Sequence, residues 1–280
     1  MRLSRKAFMK TLSVSVVSAP LLSSSFPESN KVDVAPVMGD KLGLASYSLR
    51  SFSLDDVIDT MKRLGLKHVA LKSMHMPLDS SDEEIRQIAE KVRSSGLDLY
   101  GAGVIYMKTA DEVANAFRYA RAAGISTIIG VPNHELLPQV NDLVRETDIK
   151  VAIHNHGPGD ELYPSPESIL MKVKDLDKRV GVCLDIGHAV RIGLDPGQEA
   201  KRCGDRLYDM HFKDVNVAAP EGGSLEMGRG VIDLPAFLKT LSKIKYQGVM
   251  GLEYEKDGKD PFLGLAESVG YCRGLFSCQG

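Results

Sequence analysis

From Lys41 to its end the chain alternates between two kinds of segment, and this alternation most constrains what it can fold into. Short apolar runs are each followed by a longer amphipathic run of helical period. LGLASYSL (42–49) precedes SLDDVIDTMKRLG (53–65), in which Ser53 can cap a helix and Gly65 can end it. HVALK (68–72) leads into SSDEEIRQIAEKVRSSG (80–96), and LDLYGAGVI (97–105) into a helical run at 110–123. ISTIIGVP (125–132) is followed by a helix around 135–146. Four more apolar runs, at 151–157, 180–188, 207–214 and 248–255, alternate with helical runs at 165–176, 196–203, 234–244 and 261–276. Eight β-then-α units with short connections predict an α/β fold of the (β/α)₈ TIM-barrel kind, a single domain spanning 41–280. A doubly wound open sheet is the competing architecture, but no Gly-x-Gly-x-x-Gly follows the first strand.

The last four strands carry the chemistry. VAIHNHG, VGVCLDIGH, LYDMHFKD and GVMGLEYE begin as strands buried on both faces, yet each ends in groups that a buried strand avoids. An unpaired ionisable group costs several kcal/mol to bury, so converging polar ends need a common partner. In a barrel these ends lie at the catalytic mouth. Side chains alternate with a period of two, which places His154, Asp185, His211 and Glu253 in one inner layer. Two imidazoles and two carboxylates suit one divalent ion of the Mn, Co, Fe or Zn kind better than Mg or Ca. His156, Lys213 and Glu255, two residues further on, should form a rim around a substrate, with His188 just beyond its strand. Glu255 and His156 are the candidate base and acid, and Glu253 counts as catalytic as well as ligating. Lys213 is read as a contact to a substrate oxyanion or an ion-pair partner of Asp214 or Glu255. Lys72, at the end of strand two, is a further candidate substrate contact, and the stretch 221–226 reads as loop.

Other classes of function are poorly served. With 35 basic and 37 acidic residues and no local run of Lys and Arg, the chain offers no field for nucleic acid. Trp is absent, and Cys183, Cys203, Cys272 and Cys278 show no Cys-x-x-Cys spacing or disulfide framework. Residues 1–32 differ from the rest: a basic Ser4-Arg5-Lys6 start, a mildly apolar stretch at 11–26, and no acidic residue before Glu28. That describes an export signal and linker, too short and too weakly apolar for a membrane span. It resembles the twin-arginine pattern with Lys6 in place of the second arginine, and implies a periplasmic or otherwise exported protein, off the membrane once the signal is removed. The expected partner is a small sugar. The chain is compatible with a homo-oligomer.

The segments CLDIGHA, HFKD, GRGVID and LEYE, in that order, resemble the xylose isomerase-like barrels usually labelled sugar phosphate isomerase/epimerase. The resemblance covers essentially 41–280 and implies a divalent-metal-dependent isomerase or epimerase working through an enediolate. In ketose 3-epimerases of that kind the metal is held by Glu on strand five, Asp on six, His on seven and Glu on eight. Asp185, His211 and Glu253 match the last three, His188 matches a histidine that binds substrate oxygen, and Arg229 takes a similar part. The strand-five Glu is replaced by His154. A metal-bound imidazole is a poor carbon base, so inversion by two carboxylates does not carry over. One-base chemistry does: aldose–ketose isomerisation, or the keto-sugar lyase and hydratase reactions of relatives with His on strand five. A phosphate on the substrate is not implied, since LEYEKDGKDP opens acidic where a phosphate site needs a Gly-rich turn. A non-catalytic sugar-binding barrel is a third reading. An endonuclease IV-type nuclease is disfavoured, because strands one, three and four end in SYSL, GVIY and GVPN without the ligands that it needs.

Overall fold

A computed structural model describes residues 41–278, in which the strands close into a barrel. The expected signal and linker at 1–32 lie outside the described residues. The barrel strands are β1 (Leu42–Ala45), β2 (His68–Leu71), β3 (Asp98–Met107), β4 (Thr127–Pro132), β5 (Lys150–His154), β6 (Val180–Asp185), β7 (Leu207–Phe212) and β8 (Val249–Leu252). Each pairs in parallel with its neighbours in sequence, and β1 pairs with β8 to complete the ring. The helices are α1 (Leu54–Leu64), α2 (Asp82–Ser94), α3 (Ala110–Ala123), α4 (Leu137–Thr147), α5 (Pro166–Val173), α6 (Ile186–Arg191), α7 (Pro196–Cys203), α8 (Leu234–Lys243) and α9 (Phe262–Ser277). Among the described residues no helix is long and apolar enough to cross a membrane.

Local chemistry explains the boundaries. Ser53 and Asp56 form a reciprocal capping box at the start of α1, which closes at Gly65; Ser81 with Glu84 and Thr109 with Glu112 do the same for α2 and α3. The inner face of α1 buries Val57, Ile58, Met61 and Leu64, each worth about 1.5–3 kcal/mol of apolar burial. Val151, Ala152, Ile153, Val180, Val182 and Leu184 are fully buried, so β5 and β6 are covered on both faces.

Several elements differ from expectation. The first strand stops at Ala45 rather than running to 49, and Ser46–Leu49 form a 3₁₀ turn. Its serines replace the ladder: Ser46 Oγ accepts from Lys72 N at 2.8 Å, and Ser48 Oγ accepts from Tyr254 N at 2.9 Å while donating to Leu252 O. The sixth strand stops at Asp185, whose carboxylate caps α6, so His188 lies on a helix. The stretch 221–226 is not simply loop. Ser224–Leu225 pair antiparallel with Asp214–Val215, and Glu226 is buried, accepting from Lys256 Nζ at 2.8 Å and Tyr254 Oη at 2.8 Å.

Candidate functional site

The strand register delivers the polar ends to one level. His154 on β5 pairs with Cys183 on β6, Asp185 with His211 on β7, and His211 with Gly251 on β8, two residues before Glu253. Asn155, pointing the opposite way from His154, locks the first two strands together. Its amide donates to Asp185 O at 3.1 Å and accepts from Asp185 N at 2.9 Å. Asp185 Oδ1 accepts from His188 N at 2.8 Å, which leaves Oδ2 for the barrel axis. The carboxylate is thus fixed by both flanking elements.

Four donor atoms meet there. His154 Nε2 lies 2.9 Å from His211 Nδ1 and 3.3 Å from Asp185 Oδ2; His211 Nδ1 lies 3.0 Å from Glu253 Oε2 and 3.8 Å from Asp185 Oδ2. All four residues are buried. Lys213, expected on the rim, sits instead in the same buried layer. Its ammonium is 2.6 Å from Glu253 Oε2, 3.0 Å from Asp185 Oδ2 and 2.5 Å from Glu255 Oε1. Three carboxylates draw the chain inward, and Gly187 on α6 leaves room for the lysine stem, since a Cβ there would come within 2.5 Å of Lys213 Cγ. Asp214 is not its partner: that carboxylate accepts backbone N–H groups from Val215, Gly228, Gly230 and Ile232 and ties down the loop after β7.

Electrostatics reflect this crowding. Burial opposes ionisation of Asp185 and Glu253, yet His188 and Lys213 hold Asp185, and His211 and Lys213 hold Glu253, well below the usual carboxylate range. Burial opposes the charge on Lys213 too, but Asp185, Glu253 and Glu255 raise its pKa well above the ordinary value. Burial and the neighbouring His211 push His154 well down, so it is neutral. His211 is raised despite burial, because Glu253 and Asp185 face it.

The rim is built from several loops. His156 Nε2 pairs with Tyr106 Oη at 3.0 Å, and its Nδ1 is 3.6 Å from Asp160 Oδ2. Burial and His188 lower its pKa. His188 Nε2 is 3.8 Å from Asp185 Oδ2, and its Nδ1 meets Arg191 at 3.1 Å. Gly157 holds φ at 74°, and a side chain there would collide with the carbonyl of His188 at 2.7 Å. Lys72 donates to Val104 O at 3.2 Å and lies 5.4 Å from the Tyr47 ring, its pKa lowered by burial against the pull of Glu253 and Glu255. Arg229 is not brought to this group. Its exposed guanidinium pairs with Glu267 on α9, because the loop that Asp214 anchors turns it outward.

The donor set fits a divalent ion of the first transition row. Two imidazole nitrogens and two carboxylate oxygens lie within 4.8 Å of one another, all four residues are buried, and this mixed nitrogen and oxygen set is the one such ions prefer. A groove of about 560 Å³ between α7 and α8 contains none of these residues, and its acids Asp195 and Asp233 are already spent as helix caps.

Residues 47–275 match the family described as xylose isomerase-like TIM barrel. The chain belongs to that family. An inosose dehydratase of Lacticaseibacillus casei is 29% identical over an alignment of 137 positions that covers 43% of this chain and 45% of that protein. The match therefore spans less than half the length of that curated relative. Among solved structures, the 3-keto-D-glucoside 4-epimerase of E. coli superposes with a TM-score of 0.67 at 15% identity, covering 84% of this chain and 99% of the other. A sugar phosphate isomerase/epimerase of Parabacteroides distasonis gives 0.62 at 18%, covering 82% and 94%. In this xylose isomerase-like barrel, Tyr106, Asn155 and Asp160 contact the candidate residues His156 and Asp185, and the sequence pattern does not mark them. Asn155 falls between two histidines on the face that points outward, and Tyr106, at the end of the third strand, is a neutral aromatic with no charge to mark it.

Proposed function

We propose that the protein is a divalent-metal-dependent enzyme of the isomerase or epimerase type, acting on a sugar or keto-sugar by removing a proton next to a carbonyl. The observation that carries this reading is the convergence of His154 Nε2, Asp185 Oδ2, His211 Nδ1 and Glu253 Oε2 at the mouth of the barrel. These four residues would hold the ion, which when bound supplies Lewis-acid polarisation of a carbonyl oxygen. We assign removal of the α-proton to Glu255, which is half-buried at the mouth beside Lys213. The Lys213 ammonium offers a cationic contact to the oxygen on which negative charge collects. The proton then held by Glu255 returns to the neighbouring carbon, while His156, neutral and hydrogen-bonded to Tyr106, joins Lys72 and His188 in contacting substrate oxygens at the edge. The enediol thereby collapses to an isomerised sugar.

Loss of a β-hydroxyl from the same intermediate is the second reading. It is favoured by His154 standing where a second carboxylate base would be needed, and by the match to an inosose dehydratase. We further propose that the enzyme works outside the cytoplasm, on the strength of its basic and then apolar start. Sequencing the N-terminus of protein recovered from the periplasm tests this, and an intact Met1 in cytosolic protein would sink it.

The deciding experiment is metal content of protein purified without chelator, wild type beside Asp185→Asn. About one Mn, Co, Fe or Zn per chain, lost in the variant, is expected. Incubation of the loaded enzyme with ketoses and keto-glycosides in D₂O should then give deuterium at carbon or an unsaturated product. Absence of metal from wild type, with no uptake on addition, would remove the mechanism.

A further inference from the structure

We propose that the Lys213 ammonium and the divalent ion compete for the same two carboxylates, so that Lys213 sets the affinity of the ion site and shifts onto Glu255 when the ion enters. The proposal rests on the metal reading above and adds to it a role for this chain's own lysine. The two oxygens nearest Nζ inside the barrel are Glu253 Oε2 at 2.6 Å and Asp185 Oδ2 at 3.0 Å. The same two oxygens lie 3.0 Å from His211 Nδ1 and 3.3 Å from His154 Nε2, and so belong to the four-donor cluster. One lone-pair region thus serves both cations. An ion that takes both oxygens removes what holds the ammonium and repels it.

The structure also provides the place to which the ammonium goes. Glu255 Oε1 is 2.5 Å from Nζ on the side of the mouth, and Glu255 is half-buried where the two inner carboxylates are buried. The stem need not move far. Lys213 Cγ and Cδ run past Gly187, where an added Cβ would come within 2.5 and 2.8 Å of them, so the stem is confined while the head can pivot. The charge balance agrees. With Asp185, Glu253 and Glu255 ionised, Lys213 charged and His211 neutral as an ion ligand must be, the group carries two negative charges, which one divalent ion neutralises without expelling the lysine from the site. A lysine serving only to hold the strands together would need neither the shared oxygens nor the third carboxylate outside them.

Calorimetric titration of the chelator-stripped full chain with Co²⁺ alone tests this. Lys213→Met should bind Co²⁺ about 10- to 100-fold more tightly than wild type, the reverse of the usual loss on removing a neighbour of a ligand. Glu255→Gln, which keeps the lysine but removes its alternative partner, should bind more weakly by a similar factor. The same change added to Lys213→Met should have little effect, because the coupling acts through the lysine. Lys213→Gln, which keeps a hydrogen-bonding head, serves the same arm if methionine prevents folding. A wild type that binds Co²⁺ beside a folded Lys213 variant that binds no more tightly overturns the competition and leaves the metal reading intact. Glu255→Gln having equal effects with and without the lysine also overturns it. Failure of wild type and every variant to bind Co²⁺ overturns both.

Discussion

Asp185 illustrates how much one side chain can be asked to do. It ends β6, caps α6 through Oδ1, and presents Oδ2 to two imidazoles and an ammonium, so its replacement affects a helix and a site together. Glu226 is the cleaner residue for a quantitative test, because it lies apart from the ion ligands. Its burial resists ionisation, but hydrogen bonds from Lys256 and Tyr254 lower its pKa from 4.5 to about 2. A folded pKa below the unfolded one means that this carboxylate stabilises the fold above pH 4.5, and that the contribution is lost as pH falls through 2. Glu226→Gln should therefore cost about 2–3 kcal/mol at pH 7, the lower end reflecting solvent around Lys256. Urea unfolding of both proteins should show this gap at pH 7 and its closure near pH 2. A gap that does not depend on pH would show that shape and not charge holds the loop.

At the scale of elements, the inner half of the site is legible in the sequence and the outer half is not. His154, Asp185, His211 and Glu253 can be placed together from strand period and barrel polarity alone, because a parallel strand leaves little choice about which residues face the axis. Residues past the end of a strand obey no such period. Lys213 reads as a rim residue because it comes two positions after His211, whereas three carboxylates pull its long chain into the buried layer. Resemblance draws Arg229 toward the substrate, but Asp214 gathers the backbone around it and turns it toward Glu267. For Asn155 the pattern marks only that it points away from the axis. Its amide is nonetheless the clasp between β5 and the end of β6. Asn155→Ala strands the buried N–H and C=O of Asp185, and should cost about 2–4 kcal/mol and weaken ion binding as the carboxylate loses its fixed position. Denaturant unfolding with and without added ion would measure both effects. A variant as stable as wild type would mean that the strand ladder alone sets the register.

The whole barrel divides its labour around the ring. β5, β6 and β7 and the residues after β8 bring the four donors and Lys213, while β2 and β3 bring Lys72 and Tyr106 to the opposite part of the mouth. An ion held by His154, Asp185, His211 and Glu253 would join segments 99 residues apart, a site that the unfolded chain cannot offer. Binding to the folded state alone raises stability by RT ln(1 + [L]/Kd), about 2.7 kcal/mol at a hundredfold excess over Kd. For a domain of this size each kcal/mol moves the melting temperature by about 2–4 °C, so saturating Mn²⁺, Co²⁺ or Zn²⁺ should raise it by about 5–10 °C over chelator-treated protein. The rise should vanish in Asp185→Asn and grow in Lys213→Met, where the ion also relieves two carboxylates that have lost their ammonium. A melting temperature indifferent to every one of these ions would leave the four residues as a hydrogen-bonded plug in the barrel, and a neutral sugar bound without chemistry would become the better account of the mouth.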